Sequence, residues 1–86
     1  MPSTNWYHGG DLKNGEPKGT YLYVTDSQQF AALHARDHPN GRVYRLRPEY
    51  HHLVTVHHDG GARIVVCQCD LLQCGGALAV FEVVEG

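Results

Sequence analysis

The sequence has no long apolar run. Nowhere do about 18 hydrophobic residues follow one another, the length that a membrane-spanning helix needs, so no segment reads as transmembrane. It also lacks a surplus of one charge. Seven Lys and Arg stand against nine Asp and Glu, for a formal net charge of −2. The electrostatic footprint of a nucleic-acid-binding surface is therefore missing, although Arg42, Arg45 and Arg47 fall on one short segment. Met1-Pro2-Ser3-Thr4-Asn5 carries neither the basic region nor the apolar core of a signal peptide. Cysteine is scarce. Cys67, Cys69 and Cys74 make an odd, clustered set, which is not a disulfide framework. These absences predict an intracellular, reduced, cytoplasmic protein with no membrane attachment. Neither a Gly-x-Ser-x-Gly elbow nor a Gly-x4-Gly-Lys phosphate loop occurs. Gly9-Gly10 is not followed by a helical pattern, so it is no dinucleotide fingerprint.

Histidine, in contrast, is abundant, with seven in 86 residues. Their protonation near pH 6 carries the net charge from negative to positive. A chain of this length forms one domain, residues 1–86, and buries about 60–65% of its unfolded surface.

Residues 4–8 predict a first strand, with Trp6 and His8 on one face and Tyr7 on the other. Gly9 and Gly10 end it. Residues 11–18 read as a polar loop around Asn14-Gly15 and Pro17, long enough to cover a site. Residues 20–25 predict a second strand, with Tyr21, Tyr23 and Thr25 on one face. Asp26 or Ser27 caps a helix from about 27 to 38, whose apolar positions are Phe30, Leu33 and His34. Pro39-Asn40-Gly41 stops it. Residues 42–47 form a third strand, with Tyr44 and Leu46 opposite Val43, Arg45 and Arg47. Residues 53–56 form a fourth, closed by Asp59-Gly60-Gly61. Residues 62–69 carry the strongest strand pattern, and the continuous run Ile64-Val65-Val66-Cys67 suits a central strand. Residues 77–84 form the last. The sum is an α+β domain: about six strands in mostly antiparallel sheet, with one main helix.

The histidines and cysteines raise the question of metal. His52 and His57, and Cys69 and Cys74, have spacings that occur in structural zinc sites. His52 and His57 flank a strand at an odd offset and so point to opposite faces. Small cysteines beside Val66 and Leu78 are core residues in the ordinary case. The reading is no metal site. Any of the cysteines could pair with a histidine as a nucleophile, but nothing in the sequence selects one.

Tyr7-His8-Gly9, then Leu22-Tyr23-Val24-Thr25-Asp26, then Phe30-Ala31-Ala32-Leu33-His34-Ala35 and Gly41-Arg42-Val43-Tyr44-Arg45-Leu46, resemble in order and spacing the ADP-ribosyltransferase fold. The likeness is to its His–Tyr branch, which holds the diphtheria-toxin-like and poly(ADP-ribose) polymerase enzymes. It covers the first half of the chain better than the second. The resemblance implies an NAD site, with NAD as substrate. His8 would bind the ribose hydroxyl next to nicotinamide. Gly9 would bind the nicotinamide amide through its backbone. Tyr23 would stack on the nicotinamide ring, with Tyr21 the second choice. Gln68-Cys69-Asp70 resembles the family's Gln-x-Glu motif, which implies Asp70 as the catalytic carboxylate, with Gln68 beside it on the same strand face. Gln73 and Glu82 are the next candidates. A carboxylate there stabilises the positive charge that develops as nicotinamide leaves. Arg36, Arg42 or Arg45 would neutralise the diphosphate.

The implied activity is mono-ADP-ribosyl transfer to an acceptor, a protein before other macromolecules or small molecules, in a toxin or phage effector. The chain is shorter than usual for this fold, and Asp is shorter than Glu. The alternative is therefore a catalytically inactive relative that acts as a protein-interaction module, for example as an inhibitor of a host or defence protein.

Overall fold

The computed structural model describes residues 5–12, 21–58 and 60–85. The loop expected at 11–18 lies largely outside them. Six strands form two antiparallel sheets of three among the described residues. In the first, β1 (Tyr7–Gly10), β3 (Arg42–Leu46) and β6 (Phe81–Glu85) run in the order β1-β3-β6. In the second, β2 (Tyr21–Tyr23), β4 (Val54–His58) and β5 (Ala62–Cys67) run in the order β2-β5-β4. The continuous apolar run thus lies on a central strand, β5, where Val65 and Val66 are both buried. The sheets meet where Tyr7 and Thr25 exchange backbone hydrogen bonds of 2.7 and 2.9 Å.

The period-2 alternation of the strands builds the main core. Tyr44, Leu46 and Phe81 of the first sheet pack with Leu22, Val24 and Val66 from the second. Leu71, Ala77 and Val80 close this core from two short helices, α2 (Gln68–Gln73) and α3 (Ala77–Val80). Tyr7 and Val43 point the other way, into a small core with Ala31 and Ala35 beneath helix α1 (Gln28–Ala35).

Glycines explain how close α1 lies. A Cβ added at Gly9 would fall 1.8 Å from the Ala31 carbonyl oxygen, and one at Gly41 would fall 1.8 Å from that of Ala35. The helix backbone therefore rests directly on the sheet, and Ala31 and Ala35 are the side chains that fit beneath it. This corrects the expected apolar face: Phe30 and Leu33 are 51% and 55% exposed, and the buried positions are the two alanines. Gly9 and Gly10 also belong to β1 rather than ending it.

Three further expectations change. The strand predicted over 62–69 stops at Cys67, and Gln68, Cys69 and Asp70 are the first turn of α2. The final strand starts at Phe81, because Ala77–Val80, rich in Ala and Leu-type helix formers, makes a helical turn after Gly76 at φ +100°. That turn buries Ala77 and Val80, three apart on one side. Pro48–Leu53 forms a 3-10 helix that the strand patterns do not show.

Candidate functional site

The seam between the sheets opens into a cleft of about 520 Å3. Tyr7, His8 and Gly9 of β1 form one wall, and Tyr23, Val24 and Thr25 form another. Phe30, Ala31 and His34 of α1 and Arg63 and Ile64 of β5 complete it. Helix α1 is capped near this rim by Ser27, whose hydroxyl accepts the Phe30 backbone N–H at 3.2 Å, the usual satisfaction of an orphan donor in a first turn.

His8 is the most constrained side chain of the cleft. Its Nδ1 lies 2.8 Å from the Tyr23 carbonyl oxygen. A carbonyl only accepts, so Nδ1 carries the proton and donates, and Nε2 is left as an acceptor. Burial holds the imidazole below its ordinary pKa of 6.5; the bond to Tyr23 opposes the shift, and His38 and His34 add to it. His8 is thus kept neutral near pH 7. Its ring faces Phe81 of the core at 6.3 Å between centroids. Gly10 leaves the ring its room, since a Cβ there would stand 3.0 Å from Nε2.

Tyr23 is 54% exposed, with the Arg63 guanidinium carbon 5.6 Å from its ring centroid, a cation–π arrangement. Phe30 and His34, one helical turn apart, meet edge to face at 4.6 Å between centroids. The lining of the cleft therefore includes aromatic side chains, a neutral imidazole and a guanidinium.

Of the residues singled out in the sequence, His8, Gly9 and Tyr23 come together here. Tyr21 is not among the lining residues; its ring pairs with His57 at 4.5 Å between centroids. Gln68 and Asp70 do not line the cleft either. They follow the end of β5 that pairs with Tyr21, while Arg63 and Ile64 lie towards the other end. Ile64 to Cys67 alone is roughly 10 Å of extended strand. Gln73 closes α2. Glu82 is engaged elsewhere. Arg45 Nε donates to its Oε1 at 2.8 Å, a guanidinium Nη of Arg45 reaches the same oxygen, and Arg47 approaches Oε2 at 3.8 Å. The Arg45 hydrogen bond is the chief cause that holds Glu82 below the usual carboxylate range; burial opposes it, and the positive charges of Arg45 and Arg47 add smaller lowering effects. Among the described residues lining the cleft there is no Asp or Glu.

The arginine of the cleft is Arg63, not one of the three singled out. Arg36 and Arg42 border a separate hollow of about 240 Å3 on the other side of α1. Phe30, His34 and Arg63 were missed as cleft residues. The signal for the first two was in the sequence: with Ala31 and Ala35 at helical spacing opposite two glycines, the bulky neighbours Phe30 and His34 must face outwards. Nothing local marks Arg63. Among the described residues no group of three or more His, Cys, Asp or Glu is arranged to hold a metal ion, and no described helix is long and apolar enough to cross a membrane. No known protein family matches the chain, and neither a curated protein nor a solved structure matches it.

Proposed function

We propose that the cleft binds NAD through its nicotinamide-ribose half and that the chain is an NAD-dependent mono-ADP-ribosyltransferase of the His–Tyr type, releasing nicotinamide and passing ADP-ribose to an acceptor. The observation that carries this reading is the convergence of His8, Gly9 and Tyr23 on one cleft from strands of two different sheets. Each has a role that its surroundings suit. The His8 Nε2 acceptor takes a ribose hydroxyl. Gly9 brings backbone polar groups within reach of a carboxamide. The exposed Tyr23 ring stacks on the pyridine. Arg63 supplies positive charge for the diphosphate. The family resemblance offers Asp70, with Gln68 beside it, as the carboxylate that stabilises the ribosyl cation; neither lines the cleft, so this role is the one the Asp70→Asn variant decides.

The second reading keeps the fold and drops the transfer: an inactive relative that serves as a protein-interaction module. The absence of a carboxylate among the described lining residues favours it. One experiment separates the two. Purified protein is titrated with NAD, melting temperature and free nicotinamide are followed together, and Tyr23→Ala and Asp70→Asn are run beside it. The transferase reading expects a raised melting temperature that Tyr23→Ala abolishes, and nicotinamide release that Asp70→Asn abolishes. Stabilisation without release supports an inactive NAD-binding relative. No response to saturating NAD sinks the NAD site and leaves the interaction module.

A further inference from the structure

The chemistry richest in unused potential lies away from the cleft, where β5 gives way to α2. Cys67 ends the strand with extended backbone, φ −70° and ψ 131°, and Cys69 stands in the first turn of the helix. Had the strand continued, the two side chains would stand on one face about two residues' rise apart, roughly 6–7 Å, out of reach of each other. The change from strand to helix folds them together: the two Sγ atoms are 2.7 Å apart. Both thiols are free, Cys69 is exposed and Cys67 half-buried.

We propose that Cys67 and Cys69 are a reversible dithiol–disulfide couple, a surface oxidation site whose oxidant is a low-molecular-weight disulfide of the glutathione class. The sulfurs already stand closer than two unbonded sulfurs ordinarily approach, a short way from the disulfide bond length of about 2.05 Å. The two positions also differ in acidity, which sets the order of events. The Cys69 thiol, then backbone N–H groups of Cys69 and Asp70, hydrogen-bond the Cys67 sulfur and hold that thiol below its ordinary range, while Cys69 is raised. Cys67 is therefore the attacking thiolate and Cys69 the resolving thiol. The Cys67 thiolate attacks one sulfur of the small disulfide; the S–S bond breaks, and one small thiolate leaves and takes up the proton lost from Cys67. Cys69 then loses its proton and attacks the Cys67 sulfur of the mixed disulfide, and the second small thiolate leaves and is protonated. The two protein thiols are oxidised to one disulfide, and one small disulfide is reduced to two small thiols. This site stands on its own geometry and does not depend on the NAD reading.

The test equilibrates the whole protein with oxidised and reduced glutathione in varied ratio, quenches with acid, and reads intact mass and free thiol count. The couple predicts that the thiol count falls from three to one, with a mass loss of about 2 Da and no retained glutathione, the signature of an internal disulfide. Dithiothreitol restores all three thiols. Cys74→Ser keeps the 2 Da loss, and Cys69→Ser abolishes it and accumulates the glutathione adduct on Cys67. Two results would overturn the proposal: Cys74→Ser retaining both thiols in oxidised glutathione, or the mass loss surviving in Cys69→Ser.

Discussion

At the scale of single residues, two glycines and one histidine set the cleft. Gly41 lets the Ala35 carbonyl approach to where a Cβ would stand at 1.8 Å, and the obstacle is backbone, which cannot rotate aside. Gly41→Ala should therefore lower stability by about 3 kcal/mol, roughly 15 °C in Tm for a domain of this size; differential scanning calorimetry measures it. A change under about 2 °C would mean that α1 lifts off the sheet at little cost. His8 makes a prediction in pH. Its pKa is lower in the folded chain than the ordinary 6.5, chiefly through burial. The unfolded chain thus binds the proton more readily, and folding stability rises with pH through this window. The His8 contribution is complete above about pH 6.5, declines as the pH falls towards the folded value, and levels off below it. Urea denaturation at pH 7 and pH 5 should show a larger acid loss in the natural chain than in His8→Gln. Equal losses would contradict the lowered pKa of His8 in the folded chain.

At the scale of elements, α1 supplies part of the cleft wall and the β3–β6 pair carries a charged pairing across the first sheet. The Ser27 hydroxyl caps the helix that presents Phe30 and His34. Ser27→Ala should cost about 1 kcal/mol, read from chemical denaturation, and should weaken any ligand that stacks at the α1 rim. Arg45 and Glu82 face each other across β3 and β6. Glu82 is held below the carboxylate range chiefly by the Arg45 hydrogen bond, so its contribution is present above about pH 4.5 and is lost as the pH falls through its folded value. Glu82→Gln should lower stability slightly at neutral pH and leave it unchanged in strong acid. What was legible at this scale followed side-chain periodicity. The run from Ile64 to Cys67 marked a central strand, and alternation put Tyr44 and Leu46 against the main core and Val43 in the small one. The helical break at Gln68 and the turn at Ala77–Val80 were not legible, because short apolar runs fit strand and buried helix equally. The face of α1 was misread because its packing is set by Gly9 on β1 and Gly41 just before β3 rather than by its own apolar positions.

At the scale of the whole molecule, two small sheets share one core and are stitched by backbone bonds between Tyr7 and Thr25. The Cα radius of gyration is 12.0 Å, the value of about 12 Å that a folded unit of this length has. Such a unit has roughly 4–13 kcal/mol of stability in all. Leu46, with no exposed surface, joins both sheets through the main core, and Leu46→Ala should cost about 3 kcal/mol, a large part of that total. The cleft is a property of this scale too: His8 and Tyr23 belong to different sheets, and the Nδ1 hydrogen bond across the seam holds them in one place. The sequence carried the order of those residues, and their meeting required the seam. The most direct test of the NAD site is to map NAD onto the backbone by amide NMR titration. The account predicts shifts concentrated at residues 7–9, 23–25, 30–34 and 63–64, saturating together. Shifts absent at saturating NAD, or confined to the hollow around Ala35, Arg36 and Arg42, would contradict it.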